Sequence, residues 1–209
     1  MNSGKTKAVR GVLFDLDGTI VDTPYDWPKI RKELGAEGVP ILSFIEGLSE
    51  PERSRRRKIL EGHEASATRQ AKLRAGIRPL LRLLAERGVR TALVTNNSRK
   101  NLEALLSRFA LSFDYVSSRE TGLWKPSGAP LRAAMKALGL NADECCVVGD
   151  SHFDVRSGGG AGIDRIFIVT REPEGYVSQR VQTFPSLLSV RRALTALTSE
   201  RLFPNADLG

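Results

Sequence analysis

The chain has 209 residues, 41% hydrophobic and 27% charged, which suits one α/β domain with a modest insertion better than two independent domains. No stretch approaches the roughly 20 apolar residues that cross a bilayer, so a membrane-spanning helix is excluded. The formal charge of +8 favours an anionic partner, but aromatics are only 6% and none interleave with the basic runs, so an anionic metabolite is expected rather than a nucleic acid.

The first residues, MNSGKTKAVRG, are basic and lack an apolar signal region, so the chain reads as cytoplasmic. They lead into GVLFDLD, the first of five short apolar runs that read as buried parallel strands. Residues 22–75 then contain no convincing strand and read as two or three helices. The clearest of these starts at Ser49-Glu50-Pro51-Glu52, with a capping serine, an early proline and acids at the positive end, and it continues through RSRRRKILEGHEASATRQAKLRAG.

After this insertion IRPLLRLLAERG reads as a helix closed by Gly88, followed by the strand VRTALVTN. SRKNLEALLSRF is a helix with Ser98 as its N-cap, and FDYVSS is the third strand. LRAAMKALG is a helix closed by Gly139. ECCVVGD and DRIFIVT are the fourth and fifth strands, and adjacent Cys145 and Cys146 read as small core residues of a reducing compartment. The tail FPNADLG reads as loose.

The alternation predicts a doubly wound, Rossmann-like, mainly parallel sheet in the order fifth, fourth, first, second, third strand. Its core spans 8–21 and 76–202, and a small helical cap spans 22–75.

In such sheets ligands sit outside the carboxyl ends of the strands. The first strand ends in Asp15-Leu16-Asp17-Gly18-Thr19 and the second in Thr95-Asn96-Asn97-Ser98. The loop before the next helix carries Trp124-Lys125-Pro126, and the fourth strand ends in Gly149-Asp150-Ser151-His152-Phe153-Asp154. Converging carboxylates need a counter-charge, and magnesium, which prefers oxygen ligands, meets that need with Asp15 and Asp150 as a carboxylate pair. Lys125 suits phosphate oxygens, and Thr95 is a neutral donor for the same group. A turn at Gly18 lets Asp17 reach the leaving-group side.

Asp15-x-Asp17-Gly-Thr19, Thr95, Lys125-Pro126 and Gly149-Asp150-x-x-x-Asp154, in this order, resemble the four signature motifs of the haloacid dehalogenase superfamily. The small helical insertion is similar to that of its phosphoglycolate-phosphatase-like branch. The resemblance implies a magnesium-dependent phosphatase that works through an aspartyl-phosphate. Asp15 would be nucleophile and metal ligand. Asp17 would be general acid and then base, with its backbone carbonyl on the metal. Thr95, Asn96 and Lys125 would hold the phosphoryl group, Asp150 would complete the metal set, and Asp154 would orient the metal's waters. An acid at Asp17 points to phosphate esters, because halide leaves without a proton.

The rival readings are a phosphomutase of the same fold and a non-catalytic binding module. Substrate identity and oligomeric state are not legible. His152 and His63 read as bystanders. Tyr25 and Trp27 are either hinge packing or substrate wall. Arg53, Arg56 and Arg57 share one helix face, read as a solvated surface paired with acids such as Glu50, Glu52 and Glu61. The alternative makes one of them a specificity residue for a second anionic group. The run Ser157-Gly158-Gly159-Gly160 lacks the ending of a phosphate loop and reads as close helix–sheet packing in a short or frayed helix.

Overall fold

A computed structural model describes residues 7–176 and 178–198. The tail FPNADLG and the expected end of the core at 199–202 lie outside the described residues.

Strand β1 (Gly11–Phe14) is buried throughout, as its unbroken apolar run requires. The short strand β2 (Val21–Asp22) leads to three helices, α1 (Trp27–Leu34), α2 (Ile41–Glu46) and α3 (Glu52–Gln70). Strand β3 (Lys72–Leu73), α4 (Ile77–Glu86), β4 (Arg90–Val94), α5 (Arg99–Phe109) and β5 (Tyr115–Ser117) follow. The chain continues through α6 (Ala129–Leu138), β6 (Cys145–Gly149) and α7 (His152–Gly160). Strands β7 (Ile166–Val169) and β8 (Val181–Phe184) and helix α8 (Leu187–Leu197) complete the described fold.

Six strands form one parallel sheet in the order β5-β4-β1-β6-β7-β8. Five of them lie in the expected order, and β8 adds a sixth at the edge beyond β7. Its sequence, VQTF, is half-buried and partly polar, so it carries no apolar run to announce it.

Side chains of β1 alternate between two cores, as strand pleating dictates. Val12 and Phe14 join Cys146, Val148 and the inner faces of α4, α5 and α8. Leu13 joins Cys145, Val147 and Leu131, Ala134 and Met135 of α6. Both cysteines are free and buried. Helices α1–α3 have a small core of their own, built on Ile30, Leu34, Ile41, Ile45 and Leu60.

Ser98 caps α5 by accepting from Asn101 N–H, and Gly88 and Gly139 follow α4 and α6 with positive φ, as their sequences predict. The region 22–75 departs from expectation in three ways. It contains strand residues, because β2 and β3 pair antiparallel where the chain enters and leaves the helical insertion. Two-residue strands are too short to show a periodicity. Helix α3 starts after Pro51 with no side-chain cap from Ser49; Glu50 instead accepts from Ser54 N–H at 3.2 Å. It also ends at Gln70, because Ala71 turns extended and buries itself in the main core.

Helix α7 runs through all three glycines rather than fraying before them. A Cβ on Gly158 would lie 2.8 Å from Ile166 Cδ1, so this glycine lets α7 lie directly on β7.

Candidate active site

The sheet register assembles the site. Gly11 pairs with Arg90 on one side and Cys145 on the other, so β1, β4 and β6 start level and end within one residue of one another. Asp15, Thr95 and Asp150 are the first residues beyond those ends, and Asp15 N–H donates to Val148 C=O at 2.9 Å.

Lys125 is almost wholly buried, and its Nζ lies 2.6 Å from Asp15 Oδ1 and 2.7 Å from Asp154 Oδ1. Burial works against its charge, but the two carboxylates outweigh it and the net shift is upward. The Asn96 side chain is bonded both ways to the Lys125 backbone, donating to the carbonyl at 2.9 Å and accepting from the N–H at 2.8 Å. Its amide therefore holds the Lys125 loop, and Asn96 also lines the cavity described below. Thr95 is buried, and its hydroxyl accepts from Asn97 N–H at 3.0 Å.

Gly18 turns the chain back with φ +79°, and a Cβ there would sit 2.0 Å from Asp150 Oδ2. Glycine is needed on both counts. The turn parts Asp17 from Asp15: Asp17 Oδ1 accepts from Thr23 at 3.0 Å and Oδ2 from Asn97 Nδ2 at 2.9 Å. Burial raises the Asp17 pKa, and those two bonds oppose the rise. Asn97 is itself fixed, because its Oδ1 accepts from Ser98 N–H and Asn101 Nδ2.

Asp15, Asp150 and Asp154 each offer a carboxylate oxygen, all within 4.8 Å of one another. Burial raises the Asp15 pKa well above the usual range, and it pushes Asp150 up to about 6, with Asp154 adding to the effect. Among the described residues Lys125 reaches Asp15 and Asp154, and no salt bridge reaches Asp150. Such a hard-oxygen set with surplus negative charge fits a divalent cation like magnesium. The Asp17 carboxylate lies outside this group of three. Asp154 also accepts from Ser151 N–H at 3.1 Å and Ser151 Oγ at 2.7 Å, which ties the loop after β6 to the start of α7.

A cavity of about 730 Å³ opens over these residues toward α1–α3. Tyr25 and Trp27 line it, with ring centroids 4.5 Å apart, and the Tyr25 hydroxyl accepts from Asn97 Nδ2 at 3.1 Å. Arg53, Arg56 and Arg57 do not line it. Arg53 donates to Leu48 C=O, Arg56 binds Glu52 and Glu33 C=O, and Arg57 pairs with Glu46. The acids they meet are therefore Glu52 and Glu46. Neither histidine lines the cavity: His63 contacts Glu33 at 2.6 Å and His152 stacks on Tyr176.

Several lining residues carry no motif and were invisible in the sequence. Arg74 donates to Gly18 C=O, and Glu64 of α3 meets Arg119 at 2.5 Å. Tyr176 donates to Asp150 C=O at 3.0 Å from outside the cavity lining. Asn97 alone had a signal, since it stands beyond β4 among the strand-end residues.

Residues 9–162 match the family model of haloacid dehalogenase-like hydrolases. An uncharacterized hydrolase of Saccharomyces cerevisiae is 32% identical over 75% of this chain and 75% of its own length. A phosphoglycolate phosphatase of Yersinia pestis is 30% identical over 76% of this chain and 80% of its own. A hydrolase from Pseudomonas syringae has the same fold, with a TM-score of 0.72 at 20% identity, covering 92% of this chain and all of that one. The chain belongs to the haloacid dehalogenase-like hydrolases, in the phosphoglycolate-phosphatase-like branch, and is an enzyme of the phosphatase type.

Proposed function

We propose that the protein is a magnesium-dependent phosphatase that hydrolyses a small phosphate monoester by way of a phosphoryl group on Asp15. The observation that carries this reading is the Lys125 ammonium, 2.6 Å from Asp15 in the cavity that also holds Asp17. A magnesium ion held by Asp15, Asp150 and the Asp17 carbonyl, with Asp154 behind it, would supply charge neutralisation at the phosphoryl oxygens.

An Asp15 carboxylate oxygen attacks phosphorus, and the bond from phosphorus to the alcohol oxygen breaks. Asp17 gives its proton to that leaving oxygen, which its burial-raised pKa favours. Asp17 then takes a proton from water, the water oxygen attacks phosphorus, and Asp15 is released as a carboxylate. Lys125 and Thr95 hold the phosphoryl oxygens throughout.

Residues 8–21 and 76–202 act as the catalytic core, and residues 22–75 as a cap that limits water and bounds the alcohol half of the ester. No helix among the described residues is long and apolar enough to cross a membrane. With two buried free thiols, we place the enzyme in the cytoplasm.

Release of inorganic phosphate from a panel of phosphate esters, with magnesium and then with chelator, tests the reading. Turnover in magnesium alone is expected. Full turnover in excess chelator would overturn the metal dependence, and an isomerised product without free phosphate would make the enzyme a mutase.

A further inference from the structure

Two buried side-chain polar atoms among the described residues have no hydrogen-bond partner, Glu64 Oε2 and Thr68 Oγ1. Of these two residues only Glu64 lines the cavity above Asp15 and Asp17. It is 4% exposed and reaches from α3 to the turn after β5. Its Oε1 lies 2.5 Å from Arg119 Nη1. Arg119 sits in the turn after β5, where its N–H donates to Asn97 C=O, so the loop that steadies Asp17 also anchors Glu64.

We propose that Glu64 reads the alcohol half of the substrate by accepting a hydrogen bond from one of its hydroxyls, so that the enzyme prefers polyol or sugar phosphates to esters whose alcohol carries a second anion. This rests on the phosphatase reading above. Leaving a buried acceptor unpaired costs about 1–3 kcal/mol, and a substrate hydroxyl relieves that penalty where an alkyl group does not. A carboxylate accepts and cannot donate. A carboxylate or second phosphate on the alcohol brings no donor and meets the charge of Glu64.

The remaining wall agrees with this choice. The stacked rings of Tyr25 and Trp27 offer a flat apolar surface to the carbon side of a polyol. Near the cap, two cavity arginines each commit one guanidinium nitrogen to backbone carbonyls and keep their charge. Arg31 donates to Ala36 C=O at 3.3 Å and Val39 C=O at 2.6 Å, and Arg74 donates to Gly18 C=O. Arg171, which also lines the cavity, belongs to the loop after β7, beside Glu172, and not to the cap.

Glycerol 3-phosphate and n-propyl phosphate share a three-carbon alcohol and differ by two hydroxyls; phosphoglycolate carries a carboxylate instead. kcat/KM is measured for all three, and for an aryl phosphate, with magnesium at pH 8. The wild-type enzyme should favour glycerol 3-phosphate over propyl phosphate and over phosphoglycolate by about tenfold or more, the usual scale for a pocket that hydrogen-bonds a substrate hydroxyl being at least that large, and the aryl phosphate serves as the activity control. Glu64→Ala should shrink the preference over propyl phosphate to within about threefold. Glu64→Gln keeps the shape and adds a donor, so its preference over phosphoglycolate should fall by about tenfold, and this variant serves if the alanine variant does not fold. A wild-type enzyme that favours phosphoglycolate or ignores the hydroxyls overturns the proposal, as do variants with wild-type ratios. If no ester is turned over, the aryl phosphate included, the phosphatase reading fails and this proposal falls with it.

Discussion

Lys125 holds Asp15 at 2.6 Å while its other contact, at 2.7 Å, is Asp154, so one buried cation joins the end of β1 to the start of α7. Lys125→Met keeps the length of the side chain and removes the charge, leaving two carboxylates unpaired. Breaking a buried pair in this way typically removes 3–5 kcal/mol, so the variant should lose about that much stability to urea in chelator. It should also lose about 10²–10³-fold in kcat, the usual effect of removing one group that stabilises the transition state. A variant with wild-type stability and activity would show that the contact is incidental.

Gly18 makes the turn that parts Asp17 from Asp15 beyond the end of β1, and a methyl group there is excluded twice. The left-handed φ alone costs roughly 1–2 kcal/mol for a residue with a Cβ. The Cβ would also displace Asp150, whose Oδ2 lies 2.0 Å away. Gly18→Ala should therefore lose activity beyond its loss of stability. Gly159→Ala is the matched control: its Cβ meets nothing within 4 Å, and α7 should gain about 0.4–1 kcal/mol. Thermal melts and phosphate release on both variants test the contrast.

Glu64 introduces a pH dependence into stability. Burial raises its pKa from 4.5 to about 7, opposed by Arg119 and reinforced by the charges of Asp17 and Glu61; Tyr25 shares this surrounding. A carboxyl with a raised folded-state pKa contributes most stability below its unfolded value, and loses it as pH rises through the folded one. Between pH 4.5 and 7 the wild type should thus lose stability relative to Glu64→Gln, by on the order of 3 kcal/mol. Urea titrations at pH 4.5, 6 and 8 read this difference directly. A constant gap between the two proteins would mean that Glu64 ionises normally.

Much of the catalytic core could be read from the chain because the inner strands β1, β4, β6 and β7 are buried on both faces for nearly all their length. That requirement writes continuous apolar runs, as in Val12–Phe14 and Cys145–Val148, and the polar residues that follow mark the strand ends. Asp15, Thr95 and Asp150 were found in this way. Strand β8 is half-buried and polar at Gln182 and Thr183, so it left no such mark. The cap was harder for a different reason. Its contacts are made by isolated long side chains, such as Glu64 to Arg119 across 55 positions, and neither partner's neighbours signal the pairing. The arginine run on α3 drew notice by density alone, yet its members are spent on Glu52, Glu46 and nearby carbonyls.

That arrangement yields a direct expectation for the cap arginines. Arg53→Ala, Arg56→Ala and Arg57→Ala should each leave kcat/KM within about threefold of wild type, and exposed ion pairs of this kind contribute roughly 0–1 kcal/mol to stability. Arg56 ties α3 to Glu33 C=O of α1, so its loss should be the largest of the three in melting temperature. A rise in KM for one variant with kcat unchanged would mean that the side chain binds substrate uniformly in ground and transition states.

Asp15 and Asp17 are close in sequence but occupy different surroundings, and the proposed mechanism gives them different tasks. Asp15 contacts Lys125, whereas both oxygens of Asp17 are held by Thr23 and Asn97. Asp15→Asn removes the nucleophile, so no phosphoryl-enzyme forms and turnover is lost outright. Asp17→Asn leaves Asp15 and Lys125 in place but removes the proton donor and the base. Esters with poor leaving groups should then fail at the first step. An activated aryl phosphate, whose leaving group needs little protonation, should still phosphorylate Asp15 and stall there, because nothing takes the proton from the attacking water. Asparagine at position 17 also keeps one acceptor for Thr23, so the turn at Gly18 should persist and circular dichroism should match the wild type. Intact-protein mass spectrometry after rapid quench reads the outcome: one added phosphoryl group on the Asp17→Asn variant and none on Asp15→Asn. An adduct on the Asp15→Asn variant, or equal turnover by both variants, would end the proposed division of labour.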